Sequence, residues 1–446
     1  MKRIGYAMGD MGISVSYFAV GFFFMFYLTD IVGLSPAVAG AAIFIGKLWD
    51  GVNDPLMGII SDRTVSRFGR KRVYVLFGSV ALAVSFILLW MVPAGAPDWV
   101  RFLWATVGLL LYSTAYTVVT VPYMALVPVM SKDYDERTYI TSLRAILSSL
   151  AVIMGGGIAM LLSSFTDQVM GLRLITAGFG VFSMLSLLIA AASVKGLEAG
   201  QKAGDIVPYR LFHYLNLLKE KNLRLLLSLK FFGAVATGCL TAAFPYFAAH
   251  VLSNKSLSTF GVAAYTIFAA VSIPFWNRLT KQHDKRMLLL YANCLVAVIL
   301  LILGIGAHRI TSVMFLAGCA LMGTVFAAYL FIPYSFVPDM VEFYEHKTGE
   351  RHEAVFFGLW ITVHQLGIAA AGLLLGLGLQ LMGYDSNLPV QAENGLIAIR
   401  IAFGVIPGFF LVLAAFIMRK YEITRTLFGQ IQKDINFKTK GDRLGV

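Results

Sequence analysis

Lys47, Asp50, Asn53 and Asp54 lie within eight residues of one another in Gly46-Lys47-Leu48-Trp49-Asp50-Gly51-Val52-Asn53-Asp54-Pro55. They close an apolar run that opens near Pro36. If that run is helical, Lys47, Asp50 and Asp54 stand at i, i+3 and i+7 on one face. An ionisable side chain near the centre of a bilayer costs about 2.5–3.5 kcal/mol on insertion scales. Three of them on one face make a poor inert anchor. Two carboxylates and an amide oxygen suit a hard cation or a proton held against a polar cavity. The competing account is a frayed helix end whose charges reach headgroup water.

The elements that must position these residues follow from composition. The chain has 446 residues, of which 58% are hydrophobic and 13% charged, against about 25% charged in a soluble domain. An all-α integral membrane protein is expected, because apolar segments of about twenty residues recur throughout. Twelve spans are read, at 8–28, 36–58, 73–93, 101–128, 141–163, 169–193, 225–250, 260–279, 287–306, 312–336, 354–382 and 397–418. The run after Met1-Lys2-Arg3 is too long for a cleaved signal and is read as the first span. Cys239, Cys294 and Cys319 sit inside apolar runs and give neither metal spacing nor a disulfide framework.

The net charge of +12 does not point to nucleic acid. Lys and Arg concentrate in alternate short loops, as in the stretch with Arg63, Arg67, Arg70, Lys71 and Arg72, which places both termini in the cytoplasm. The polar segment 195–224 divides the chain into a half at 1–194 and a half at 225–418, with a cytoplasmic tail at 419–446. Two six-span halves joined by a cytoplasmic linker match the major facilitator architecture. Gly58-Ile59-Ile60-Ser61-Asp62-Arg63 with Gly69-Arg70-Lys71-Arg72 resembles the cytoplasmic loop motif of that superfamily. Asp62, Arg63 and Arg70 are therefore expected in a gate, Asp62 capping a helix or pairing across the halves. Asp339, with Glu342, Glu345 and Arg351, is expected in a second cytoplasmic gate loop after span 10. No Walker loop, nucleophile constellation or metal spacing suggests an enzyme.

Five segments together resemble the glycoside–pentoside–hexuronide:cation symporters, the family of the melibiose permease. They are Gly5–Asp10 with Tyr27–Gly33; Lys47–Gly58; Tyr116-Thr117 through Val121–Pro128; Asp135–Thr138 through Arg144; and Val337-Pro338-Asp339 with Thr348–Glu353 and Phe357–Trp360. The resemblance implies a shared cation site at Asp50, Asn53, Asp54 and Thr117, with Asp50 and Asp54 as the metal-binding carboxylates for Na⁺, Li⁺ or H⁺. No other cofactor is implied. Lys47 stands where the family has arginine, keeping the charge without the planar fork.

The implied substrate site includes Lys47 and falls on Ser14, Tyr116, Thr120, Met124, Arg144 and Gln365, with His364 beside it. Ser14 and Thr120 replace two sugar-binding aspartates, Met124 a stacking tryptophan and Gln365 a lysine. Each lost carboxylate removes charge-assisted hydrogen bonds of about 1.5–3 kcal/mol. A basic Arg144 without nearby acids then favours an anionic substrate such as a hexuronide or sulfonated glycoside. Two alternatives are a lipid or lysolipid carrier, whose acyl chain the Phe22–Phe26 run would suit, and a non-transporting sensor. The bland account of that run is that it faces lipid. Lys230 is expected to snorkel to the interface, the alternative being a substrate counter-ion. The glycines of Gly367–Gly378 are expected to serve close helix packing. A monomer in the cell (inner) membrane is expected.

Overall fold

In hydrocarbon every backbone N–H and C=O must find a partner inside the protein, so long apolar runs close on themselves as helices. The computed structural model describes residues 2–93, 95–130, 133–197, 217–348, 353–386, 388, 390–423 and 427. Twelve long helices run through them: α1 Lys2–Phe26, α2 Pro36–Arg63, α3 Arg72–Leu89, α4 Asp98–Met124, α5 Tyr134–Gly156, α6 Gln168–Ser193, α7 Lys221–Tyr246, α8 Ser256–Gln282, α9 Lys285–Ile305, α10 Ser312–Thr348, α11 Glu353–Leu381 and α12 Glu393–Met418. No strand occurs among the described residues. Eleven of these helices are long and apolar enough to cross a membrane. The twelfth, α2, has 28 residues and carries Lys47, Asp50 and Asp54.

α1 packs on α5 and α6, α2 on α4, and α3 on α4 and α6. In the second half α7 packs on α11 and α12, α8 on α10, and α9 on α10 and α12. The halves meet through α2 with α11, α1 with α7, and α5 with α8. This is the major facilitator fold. Residues 198–216 of the expected linker and most of the tail lie outside the described residues, as does Arg351.

Two expectations change. α10 continues past 336 to Thr348 through Pro333 and Pro338, so Asp339, Glu342 and Glu345 are helical and not in a loop. The apolar run marks how far the helix is hydrophobic, whereas its end is set by the backbone beyond. Proline inside a membrane helix is tolerated where neighbours re-satisfy the freed carbonyl. The Phe22–Phe26 run faces neither lipid nor an open chamber, because all five side chains are buried in helix packing. Phe23 and Phe24 lie against Trp90, and Phe22 meets Phe244 of the other half.

α1 and α7 end alike. Each closes with a π-helical turn, Tyr27–Ile31 and Phe247–Val251, at an offset of 220 residues. Residues related by that offset touch each other. A Cβ on Gly21 would sit 3.8 Å from Thr241 Cγ2. The Phe26 and Tyr246 rings meet at 5.1 Å. Asp30 Oδ1 and His250 Nε2 are 2.9 Å apart. Equivalent residues of two repeats meet in this way only close to the axis relating the repeats. Tyr384 donates to Asp30 Oδ1 at 2.6 Å, and the Thr29 and Tyr246 hydroxyls share a 2.6 Å bond, which completes a polar clasp between the halves.

Next to this clasp α2 and α11 approach at backbone distance. A Cβ on Gly376 would lie 2.2 Å from Pro36 O, and one on Gly40 2.6 Å from Gly372 O. The main-chain N–H of Ala37 donates to Gln380 Oε1 at 3.0 Å. On the third seam Thr259 donates to Gly156 O at 3.1 Å. These contacts lie at the end of the bundle where α1 finishes and α2 begins. The closest described contacts between the halves lie at this end.

A cysteine pair replacing Gly21 and Thr241 is expected to cross-link on mild oxidation. Asp30→Ala removes the acceptor of the clasp, worth about 1.5–3 kcal/mol for a charged group, and should slow that cross-link severalfold. Equal rates, read on denaturing gels, would show that the clasp does not hold the halves together.

Candidate functional site

α2 presents its charges inward because its opposite face is apolar and exposed, at Leu48, Val52 and Leu56. Lys47 Nζ stands 2.9 Å from Asp50 Oδ2 across one turn, and both side chains are largely buried. The ammonium also lies over the Tyr17 ring of α1, 5.1 Å from its centroid. Asp50 is 3% exposed, and its second oxygen, Oδ1, is buried without a partner. One turn on, Asp54 Oδ1 accepts from Thr117 Oγ1 of α4 at 2.6 Å. Asn53 donates to Ser113 O of the same helix at 3.5 Å. Gln365 of α11 approaches the Asp54 carboxylate from the other half, and its Oε1 has no partner. Pro55 has no N–H to give to Gly51 O, so a carbonyl between the two aspartates lacks its ordinary helical donor.

The four residues expected to bind a cation therefore converge on α2 and α4. The donor set is hard oxygen throughout, which suits Na⁺, Li⁺ or H⁺, and the orphaned Asp50 Oδ1 is a lone pair a cation would take. Lys47 holds the other oxygen of that carboxylate.

The substrate positions form a second cluster beside it. Arg144 of α5 does not lack acidic neighbours, as the sequence suggested. Its Nη2 meets Asp10 Oδ1 at 3.0 Å, and both side chains are largely buried. Asp10 lies one turn before Ser14 on α1, so the face that lost an aspartate at Ser14 keeps another four residues earlier. Arg144 is cradled by aromatic rings, its guanidinium carbon 5.1 Å from the Tyr123 centroid and 6.0 Å from that of Tyr6. Those two tyrosines bond reciprocally to each other's main-chain carbonyls at 2.6 and 2.7 Å.

Ser14 shares a 2.8 Å hydroxyl bond with Ser148. Thr120 Oγ1 is buried without a partner. Tyr116 packs between Tyr17 and Tyr112, with centroids at 5.4 and 5.9 Å, and feels both Asp10 and Asp54. Met124 is 53% exposed at the end of α4. His364 and Gln365 lie on α11, where a Cβ on Gly51 of α2 would be 3.7 Å from Thr362.

Lys230 does not snorkel. It is buried on α7, its Nζ 4.8 Å from the centroids of both Tyr334 and Trp360. The apolar residues on both sides of it in the sequence carried the signal, since an ammonium six residues into a span is not at its end.

The gate expectation is corrected in part. Asp62 pairs with Lys71 at 3.6 Å, and its carbonyl accepts from Arg70 at 2.5 Å, all within one loop. Arg63 is exposed. Asp339 pairs with Lys285 at 2.9 Å inside the second half. None of these described pairs crosses between the halves. The clasp of Asp30, His250 and Tyr384 was missed. Asp30 stood in a quoted motif, but its partners are distant in sequence, and the only available signal was the 220-residue repeat.

A family profile described as MFS/sugar transport protein matches residues 5–425. The Inner membrane symporter YicJ of Escherichia coli (strain K12) is 24% identical over 94% of this chain and 91% of its own. The Sodium-dependent lysophosphatidylcholine symporter 1 of Gallus gallus is 23% identical over 95% of this chain and 86% of its own. The crystal structure of the nucleoside transporter NupG superposes with a TM-score of 0.67, at 13% identity, over 94% of this chain and all of that one.

Removing one partner of a buried ion pair strands the other charge and costs about 3–5 kcal/mol. Lys47→Met and Asp50→Asn are each expected to lower the melting temperature in detergent, and the double variant to recover most of the loss. Additive losses in that double-mutant cycle would show that the two charges do not depend on each other.

Proposed function

Because the chain belongs to the MFS/sugar transport protein family, it is a membrane transporter and not an enzyme, and we infer that it is a cation-coupled symporter of a sugar or glycoside working by alternating access. The observation that carries this reading is the buried, unpartnered Oδ1 of Asp50 one turn from Asp54, against the Thr117 hydroxyl. A buried carboxylate with a free lone pair is costly unless something binds there. A scaffold has no need of it.

Na⁺, Li⁺ or H⁺ enters between Asp50 and Asp54. Thr117 Oγ1, the Asn53 amide oxygen and the Gly51 carbonyl complete the oxygen set. Lys47 pairs with Asp50 while the cation is away and yields part of that carboxylate when it arrives. Gln365 reaches Asp54 from α11, so the filled site ties the halves together at the level where substrate lies. Sugar hydroxyls would meet Ser14, Thr120, Tyr116 and the Arg144–Asp10 pair. The halves then rock about the axis marked by Asp30 and His250. A membrane potential of 100 mV supplies about 2.3 kcal/mol for each net charge moved, near a fiftyfold gradient.

The Lys and Arg bias supports cytoplasmic termini in a cell (inner) membrane. On that orientation the clasp of Asp30, His250 and Tyr384 lies at the end away from the cytoplasm. We take the working unit to be a monomer. The relative named as a lysophosphatidylcholine symporter keeps a lipid substrate in play, but burial of Phe22–Phe26 removes the apolar wall that an acyl chain was expected to use.

Uptake into proteoliposomes under an imposed Na⁺ or H⁺ gradient tests the reading. A sugar or glycoside should accumulate against its gradient, and Asp54→Asn should abolish accumulation while leaving downhill exchange. Thr117→Ala is expected to weaken apparent cation affinity roughly tenfold, in line with about 1.5 kcal/mol for a hydroxyl bonded to a charged group. Gradient-independent flux, or an Asp54→Asn protein that still concentrates substrate, would sink the α2 site.

A further inference from the structure

Three basic side chains lie at the middle of the bundle. Lys47 and Arg144 each have a carboxylate within 3.0 Å. Lys230 has none among the described residues; its surroundings are the Tyr334 and Trp360 rings and the burial itself. The rings meet edge to face at 5.7 Å and form a corner around the ammonium. Ring faces attract a cation, but they do not restore the hydration that burial removes. An ammonium kept in that state is a charge waiting for a partner.

The surroundings say where the partner would come from. Tyr334 is half exposed and lies near enough to Tyr17 of α1 to interact with it, so the corner opens toward the first half. His364, one turn beyond Trp360 on α11, feels both Lys230 and Lys47, and its buried Nδ1 has no partner. Donors and ring faces therefore converge from α7, α10 and α11 on the space that faces the α2 site.

We propose that Lys230, backed by the buried Trp360 and flanked by Tyr334 and His364, binds the anionic group of the transported substrate, a carboxylate, sulfonate or phosphate, while the half-exposed Tyr334 ring lies on its apolar face. The inference rests on the symporter reading and assigns its substrate class. It moves the anion from Arg144, which Asp10 already neutralises, to the second half. The loaded protein then holds a cation against α2 and an anion against α7, and each unmatched interior charge is met. A sugar acid and a lysolipid headgroup share this chemistry, and the test separates them.

Binding to the purified full-length protein in detergent is read by ligand-induced thermal shift. The probes are phenyl β-D-glucuronide, phenyl β-D-glucoside and lysophosphatidic acid. The wild type should bind the glucuronide more tightly than the glucoside by about tenfold or more, the measure of one charge-assisted contact. Lys230→Gln and Lys230→Met should bring that ratio near one, and Lys230→Arg should largely keep it. Both neutral variants should melt no lower than the wild type without ligand, because an unpaired buried charge has been removed. That guards against simple misfolding.

Tight lysophosphatidate binding that depends on Lys230, without glucuronide binding, would support the anion subsite and assign it to a lipid headgroup. A glucuronide preference that survives in Lys230→Gln, or a wild type with no preference for any anionic probe, overturns the proposal. Gradient-driven glucoside uptake by the wild type would then leave the symport reading standing, whereas uptake without coupling would remove that reading alone.

Discussion

A carboxylate inside a membrane protein must be neutralised, bonded or protonated, and the Lys47–Asp50 pair is how α2 meets that demand. The rest of the interior is arranged around it. Pairing at i, i+3 satisfies one oxygen of Asp50 and leaves the other bare. Tyr17 covers the ammonium, and α4 closes on the far side through Asn53, Thr117 and the close seat of Gly46 against Leu109. A well-packed apolar pair in place of Lys47 and Asp50 would make the helix easier to bury. On the proposed reading the pair lets one positive charge be exchanged for another, a tethered ammonium for a free cation.

The two-fold relation between halves explains which helices meet across them. α1 and α7 lie on the axis, so residues 220 apart meet each other, while α2 with α11 and α5 with α8 are the two off-axis seams. A symmetric pair of identical side chains on the axis would place like groups together. Divergence between the repeats instead leaves Asp30 facing His250, a complementary pair that Tyr384 and Thr29 extend. The glycines Gly40 and Gly376 let α2 and α11 touch backbone to backbone on the seam beside it. Small residues there give contact without interlocked side chains, which suits the proposed rocking motion.

The helices, their number and the convergence of α2 with α4 were legible because hydrophobic length and i, i+3, i+7 spacing are local signals. The pairing of Arg144 with Asp10 was not, although both residues stood in quoted motifs, since nothing local says that α1 and α5 bring them within 3.0 Å. Lys230 was misread for a related reason. Snorkelling is the ordinary outcome for a lysine near a span end, and only the Tyr334 and Trp360 rings, about a hundred residues or more away in sequence, show that its chain turns inward. The length of α10 was hidden by two prolines, which break helices in water more reliably than in a packed membrane bundle. In each case the missing information was a contact between distant segments.

Coupling between cation and substrate needs a group that touches both the ion site and the moving half, and Gln365 is placed to be that group. It approaches Asp54 from α11, one residue after His364 and five after Trp360, so the same helix carries the reach to the cation and part of the corner around Lys230. An ion that draws Asp54 toward itself alters what Gln365 can bond, and any shift of α11 is felt at the glycine seam with α2. On the proposed reading, an ion alone leaves Lys230 uncompensated and a substrate alone leaves α2 uncompensated. In the empty interior Lys230 offsets the surplus carboxylate of α2 in net charge, and in the doubly filled one each is met locally, so only these two states carry no net charge, the condition a symporter needs in order to move both or neither.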